Sequence, residues 1–426
     1  MYDWANSAYV TTVVAGLLQS YFARVIVGAE GVQIGNSTVS ATSLWGYMIA
    51  FAAFLSFLFA PVLGAISDFS SAKKKFLLSF AYAGSLITAL FYFCQSGDVW
   101  QTVIMFVITQ VGYVGANVFY DAFLPHIASE NKLDRVSAKG FSFGYIGGGM
   151  QFAIALGLVA GHKVIGIGQA LAARIGIAMA GLWWGGFTLF TLKFLKEGQA
   201  REEIPENHRS KPLILAYIAI GVERTLRTAR KVRQFKHLLL FLIAFMVYND
   251  GIQTVIGMAT IYGTSELNLS VTVLMVTLLV IQIIAAAGAP LFGWLGDKIG
   301  TKRAVMLSLV LWSGVVTYAY FLHSATEFFV LGVIVGVVLG GSQALSRSLY
   351  GSMVPEEASA EFYGFYSVFA KFSAIWGPLA FAVIRQVTGT ARLSIISLMI
   401  FFVVGLILLS FVNEEKARQA KFMGAF

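Results

Sequence analysis

The chain has 426 residues, of which 58% are hydrophobic and only 12% charged, and its mean hydropathy is +0.77. A soluble domain carries about 25% charged residues, so this chain lacks the polar atoms to cover a water-facing surface. The net charge of +9 would suggest nucleic acid in a soluble protein, but here membrane topology explains it better and no nucleic-acid partner is expected.

Cys94 is the one cysteine, and the five histidines show no HxxxH or HExxH spacing. That excludes a disulfide framework and a multi-cysteine metal site. There is no phosphate loop, dinucleotide fingerprint or nucleophile elbow. The expectation is a protein that is not an enzyme and carries neither metal nor cofactor.

Twelve stretches reach the ~20 apolar residues that a helix needs to cross the hydrocarbon core. They run roughly over 1–26, 44–66, 76–95, 100–123, 140–161, 172–194, 237–262, 270–292, 302–322, 327–351, 361–384 and 391–412. Long runs without two-residue alternation, and about a tenth glycine, argue against a transmembrane barrel. The expected class is an all-α polytopic membrane protein with twelve transmembrane helices. The first stretch is too long for a cleavable signal peptide and continues as a span.

Basic residues set the orientation. One side collects Lys73–Lys75, then Lys132, Arg135 and Lys139, then eleven residues between 193 and 236. Lys298, Lys302, Arg303, Lys416, Arg418 and Lys421 bring that side to 23. The other side has 5: Arg24, Lys163, Arg174, Arg385 and Arg392. Both termini and the central loop are therefore expected in the cytoplasm, and in a bacterium the protein would sit in the plasma (inner) membrane.

The central segment divides the twelve spans into six and six. The expected organisation is an N-terminal bundle over 1–194, a linker over 195–236, a C-terminal bundle over 237–412 and a tail over 413–426. The linker opens with the solvated KEGQAREEIPENHRSKP. It continues as an amphipathic helix, with Leu215, Ile218, Val222, Leu226 and Ala229 on one face and Arg224, Arg227, Arg230 and Lys231 on the other. Such a helix reads as lying on the inner leaflet.

Internal repetition supports the division. GAISDFSSAKKK starts at Gly64 and GWLGDKIGTKR at Gly293. Each carries a glycine, an aspartate four residues later (Asp68, Asp297), a tight turn and a basic cluster that includes Lys302 and Arg303 in the second copy. The glycine lets helices approach, the aspartate can cap or salt-bridge a neighbouring helix end, and the basic residues hold the loop in the cytoplasm. The first copy has Ser71 where the turn glycine of the second stands.

The second copy closely resembles the Gly-x-x-x-Asp-(Arg/Lys)-x-Gly-x-(Lys/Arg)-(Lys/Arg) signature of the major facilitator superfamily. YDWANSAY at 2–9, YDAFLPHIA at 120–128, SRSLYGSMVP and EFYGFYSVFAKFSAIWGPL resemble one branch of it. That branch holds the autophagy-linked vacuolar amino-acid effluxer of fungi and its bacterial relatives. The resemblance implies a 6+6 pseudo-symmetric fold with spans 1, 4, 7 and 10 around a central cavity. It also implies secondary transport and, for the eukaryotic member, amino-acid export. The family usually has further residues before the tyrosine.

The repeat relates span 7 to span 1. Asp250, Gln253 and Thr254 correspond to Asp3, Asn6 and Ser7, each set at i, i+3, i+4 on one helical face. Thirteen residues of span 7 precede Asp250, which puts it near mid-bilayer. Only two precede Asp3, so the first turns of span 1 are expected to precede Met1. The alternative is an interfacial Asp3 that caps the helix.

Spans 4 and 10 form a second pair, with Asn117 and Asp121 four apart, as are Gln343 and Arg347. An Asp121–Arg347 bridge would close an inner gate; alternatively Arg347 pairs with Asp297 of its own half. Lys371, near mid-depth, must meet a carboxylate or substrate. Either a structural pair with Asp250 or a substrate-carboxylate site answers that need.

Three intramembrane acids against two cations leave one carboxylate able to carry a proton. The substrate and coupling site is therefore expected around Asp3, Asn6, Tyr9, Asp250, Gln253 and Lys371. The functional expectation is a monomeric transporter in the lipid bilayer that moves a small carboxylated solute, with a proton as coupling ion. The alternatives are a sugar or drug exporter of the same fold, or a non-transporting receptor or lipid scramblase.

Overall fold

The structure is a computed structural model. It describes all residues except 29, 36, 40, 198–204, 206–207, 209–211, 232–234, 374 and 423–426. It also leaves out the side chains of 37, 42, 43, 53, 57, 130, 213, 214, 228–231, 260, 261, 264, 265, 271, 272, 371, 382, 386, 421 and 422. Most of the solvated linker therefore lies outside the described residues.

Helices run in chain order as α1 (Tyr2–Val27), α2 (Ala41–Ser70), α3 (Lys73–Leu90), α4 (Val99–Asp121), α5 (Leu133–Ala160) and α6 (Gln169–Phe194). Next come α7 (Leu213–Lys231), α8 (Lys236–Ser265), α9 (Val271–Ile299), α10 (Thr301–Tyr320) and α11 (Ala325–Met353). The chain continues as α12 (Ser359–Phe372), α13 (Trp376–Thr388), α14 (Ala391–Ser410) and α15 (Glu414–Phe422). Between α1 and α2 a small hairpin pairs β1 (Val32–Ile34) with β2 (Ser37–Val39), Gln33 opposite Thr38. Within α1 the residues Tyr9–Leu17 and Phe22–Val27 wind with wider π-helical turns.

Among the described residues, eleven helices are long and apolar enough to cross a membrane. The eleventh expected span, 361–384, is broken into α12 and α13, of 14 and 13 residues. Pro378, in the first turn of α13, favours a helix start there. A helix running through it would need a Pro378 N–H to bond the carbonyl four residues earlier; proline has none, and its ring clashes there. In the first turn of a new helix the same proline is tolerated.

Contacts divide the chain into two units. The first comprises Met1–Ala60, Ser71–Tyr120 and Phe143–Arg201. Its α3 and α6 meet where Gly84 lies under the ring of the fully buried Trp184. Trp4 of α1 stacks on Trp183 of α6, with centroids 5.9 Å apart. After α6 the chain is tied back to the start of α3. Lys74 Nζ donates to the Leu195 carbonyl at 2.6 Å and its backbone N–H to Glu197 at 3.1 Å, while burial pushes the Glu197 carboxyl above its ordinary 4.5.

The second unit comprises Pro61–Ser70, Asp121–Ser142 and Glu202–Phe426. Short pieces of α2 and α5, with the chain between α4 and α5, thus associate with the C-terminal helices. Inside this unit α9 and α11 touch backbone to backbone: Gly340 lies against the Ala285 carbonyl and Gly288 against Val337. Small residues at such crossings supply the packing that drives helix association where lipid removes the hydrophobic term.

The turns of the two repeat motifs need left-handed backbone. Gly300 has φ +91°, and Ser71, the serine in the first copy, has φ +49°.

Candidate gate and transport residues

Arg347 on α11 is only 5% exposed. A buried guanidinium is costly unless its donors are answered. Its Nη1 donates to Asp121 Oδ1 at 3.1 Å, its Nε to Ser137 Oγ at 3.0 Å and its Nη2 to the Ser137 carbonyl at 2.9 Å. The ring of Phe141 covers it, 4.2 Å from centroid to Cζ. Ser137 donates onward to the Ala344 carbonyl at 2.7 Å. Tyr363 donates to the Arg347 carbonyl at 3.2 Å and so ties α12 to the same point. All these groups belong to the second unit.

The alternative partner, Asp297, is engaged elsewhere: it accepts from Arg135 at the start of α5. Gly293 packs on Ala138, with no room for a methyl. The first copy of the motif does the corresponding work at the start of α12. Asp68 accepts the backbone N–H of Glu361 at 2.8 Å and of Ala360 at 3.3 Å, and Gly64 lies against the Ala360 carbonyl. An acid there satisfies the orphan donors of a helix N-terminus and complements its dipole.

Lys302 answers the opposite pole. Its Nζ donates to the carbonyls of Ser410 and Val412, at 2.8 and 2.6 Å, just where α14 ends. Arg303 is exposed.

Sequence reasoning missed Asp134. Its carboxylate accepts from Ser348 at 2.5 Å and Thr301 at 2.7 Å, and so joins α5 to α11 and α10. The available signal was the repeat itself: if Asp68 serves the start of α12, Asp297 should serve the start of α5, where Asp134 and Arg135 stand.

Asp250, buried on α8, closes the break in the eleventh span. Its carboxylate accepts the backbone N–H of Gly377 at 2.9 Å and of Trp376 at 3.1 Å, in the first turn of α13. Thr254 and Asp250 face Gly377, where a Cβ would collide with both. Asn249 donates to Ser373 at 2.5 Å on the other side of the gap, and Gln253 donates to Asn249 at 3.5 Å. Lys371 falls in α12, and its side chain lies outside the described residues.

In the first unit Asp3 and Ser7 face Gly144 of α5, as Asp250 and Thr254 face Gly377. Asp3 is buried and accepts from Tyr120 at 2.7 Å. Asn6 donates to Asn117 at 2.7 Å. Tyr9, fully buried, lies 2.9 Å from Thr109 Oγ1 and donates to Gln110 at 3.1 Å. Asp3 and Asp250 are thus both hydrogen-bonded acids, one to a phenol and one to backbone. Among the described residues no cluster of His, Cys, Asp or Glu is fit to hold a metal ion.

Residues 2–421 match the family model described as "Vacuole effluxer Atg22 like". The chain belongs to the Atg22-like family. This Atg22-like chain is 35% identical to the uncharacterized MFS-type transporter YxiO of Bacillus subtilis, over 97% of itself and 94% of that protein. It is 28% identical to autophagy-related protein 22-1 of Neosartorya fischeri, over 69% of itself; the match spans 50% of the fungal protein's length. Its fold is that of the major facilitator superfamily proton:xylose symporter XylE, with a TM-score of 0.68 at 14% identity, covering 98% and 95% of the two chains. It is a multi-pass membrane transporter of that superfamily, not an enzyme.

Proposed function

We propose that this Atg22-like protein is a secondary active transporter that moves a small carboxylated solute, an amino acid or a close relative, out of the cytoplasm by alternating access. The Asp121–Arg347–Ser137 latch is its inner gate. One observation carries the reading: a fully bonded arginine buried among helices, 3.1 Å from Asp121. Such a pair contributes little net stability against an apolar equivalent. Its value lies in having two states, made and broken, which a gate requires.

The family description as an effluxer supports the direction of transport. The polar side chains proposed to serve substrate and coupling are Asp3, Asn6 and Tyr9 in the first unit, and Asp250, Gln253 and Lys371 in the second. The unlike surroundings of the two acids support giving one of them the coupled proton. Asp250, tied to a helix end that shifts as α12 and α13 move, is the better candidate.

A solute screen in proteoliposomes, with and without a pH gradient, tests this. Uptake or counterflow of amino acids that responds to the gradient is the expected result. Transport confined to sugars or apolar cations, or lipid flipping without solute movement, would overturn the substrate assignment.

A further inference from the structure

Helix α7 has two contrasting long faces. Ala216 and Ile220 are 1% and 3% exposed. On the same side Gly221 fits against Ile66 and Val62, Tyr217 meets Phe69 edge-on at 5.8 Å, and the Arg224 guanidinium lies 5.0 Å over that ring. This face is docked on the end of α2, within the second unit. The opposite face carries Leu215, Ile218, Val222 and Leu226, exposed by 56, 46, 40 and 53%. Spacings of three and four residues make these a single stripe.

One edge of the docked face is basic. Arg227 is exposed and pairs with Glu223, the one acid of the helix, which is also 3.1 Å from His208. Four basic residues against that acid leave the helix with a net charge of +3.

We infer that the outer stripe of α7 is a docking surface for an anionic lipid leaflet, and that lipid charge thereby acts on the Asp68 contact. Charge and shape together select this occupant. An exposed apolar stripe on a net-positive helix of 19 residues in a membrane protein fits acyl chains below and phosphate headgroups nearby. An acidic soluble protein would answer the charge but not the stripe.

The helix is braced on Val62, Ile66 and Phe69, the turns that hold Gly64 and Asp68 against the start of α12. Seating α7 in the leaflet therefore steadies the Asp68–Glu361 bond. That consequence for transport rests on the function proposed above; the docking itself does not.

The test uses full-length protein carrying Cys94→Ser and Ile218→Cys, labelled with an environment-sensitive fluorophore and reconstituted in liposomes with spin-labelled quencher lipids. Quenching should rise several-fold when phosphatidylglycerol replaces part of the phosphatidylcholine. Arg227→Gln should reduce the apparent affinity for the anionic lipid about five-fold. Arg227→Lys, which keeps the charge, should retain that affinity.

Equal quenching in neutral and anionic bilayers would overturn the proposal. So would the same fluorescence change with inorganic phosphate alone, which marks a free-anion site. Protection of the label by self-association in neutral lipid would assign the stripe to a second copy and overturn it too. None of these readouts requires transport, so a failed solute screen leaves them interpretable.

Discussion

Asp250 Oδ1 and the backbone nitrogen of Gly377 lie 2.9 Å apart, joining residues 127 positions apart in the chain. With the Trp376 bond it satisfies first-turn N–H groups of α13 that a helix start leaves without carbonyl acceptors, and it makes the break in the eleventh span a built feature. Asp250→Asn keeps one carbonyl acceptor and loses the charge. Gradient-driven uptake should be abolished while equilibrium exchange of substrate stays measurable, because exchange moves no net proton. Intact gradient-driven uptake in both Asp250→Asn and Asp3→Asn would remove the coupling assignment.

Gly377→Ala puts a methyl into Thr254 Oγ1 and Asp250 Oδ1. Overpacking of this kind costs about 1–3 kcal/mol. A lowered melting temperature in detergent, partly recovered by adding Thr254→Ala, is the expected outcome; an unchanged one would mean that α13 shifts freely.

For the latch, Asp121→Asn and Arg347→Gln should each impair transport, and Asp121→Arg with Arg347→Asp should partly restore it. Arg347→Gln should cost more than Asp121→Asn, since it also strips both contacts to Ser137. Full activity in either single variant would rule out a gating role.

The two repeat turns predict opposite responses to substitution. Ser71→Gly relieves a left-handed serine and should raise stability by about 1 kcal/mol, whereas Gly300→Ala should lower it by about as much. Thermal unfolding of the two variants in one detergent checks the sign of each.

Glu197 gives a pH dependence. Its carboxyl is raised above 4.5 by burial, so the folded state holds the proton more tightly than the unfolded chain. Its contribution is fully present below that ordinary value and is lost as pH rises through the raised one. Glu197→Gln should flatten the fall in stability over that window; an unchanged slope would assign the fall to other groups.

Topology is checked with single cysteines at Lys132→Cys and Lys163→Cys in a Cys94→Ser background. Reagent that does not cross the membrane should reach position 163 from outside the cell and position 132 only after permeabilisation.

Much of this architecture was legible because its signals are periodic or repeated. Eleven spans follow from apolar length, and the repeat offers Asp121 to Arg347 as one of two partners, Asp297 being the other, between which the tertiary contacts decide. The break at the eleventh span was less legible. Pro61 and Pro290 lie inside continuous helices, so proline alone does not announce an interruption. What differs at Pro378 is an acid on another helix that meets the released N–H groups, and that is a tertiary fact. For Asp134 the repeat points to the start of α5, but its partners Ser348 and Thr301 carry no spacing signal.

The two copies of the loop motif grip their targets through different atoms. Asp68 holds backbone N–H groups, which every residue but proline supplies, whereas Asp297 holds the side chain of Arg135. Drift at Ala360 or Glu361 therefore leaves the first contact standing, while loss of the positive charge at Arg135 ends the second. The two contacts are unequally exposed to mutation. In a saturation scan the buried positions 360 and 361 should accept the side chains that fit there without losing the Asp68 contact, whereas any uncharged residue at the exposed position 135 removes the second contact.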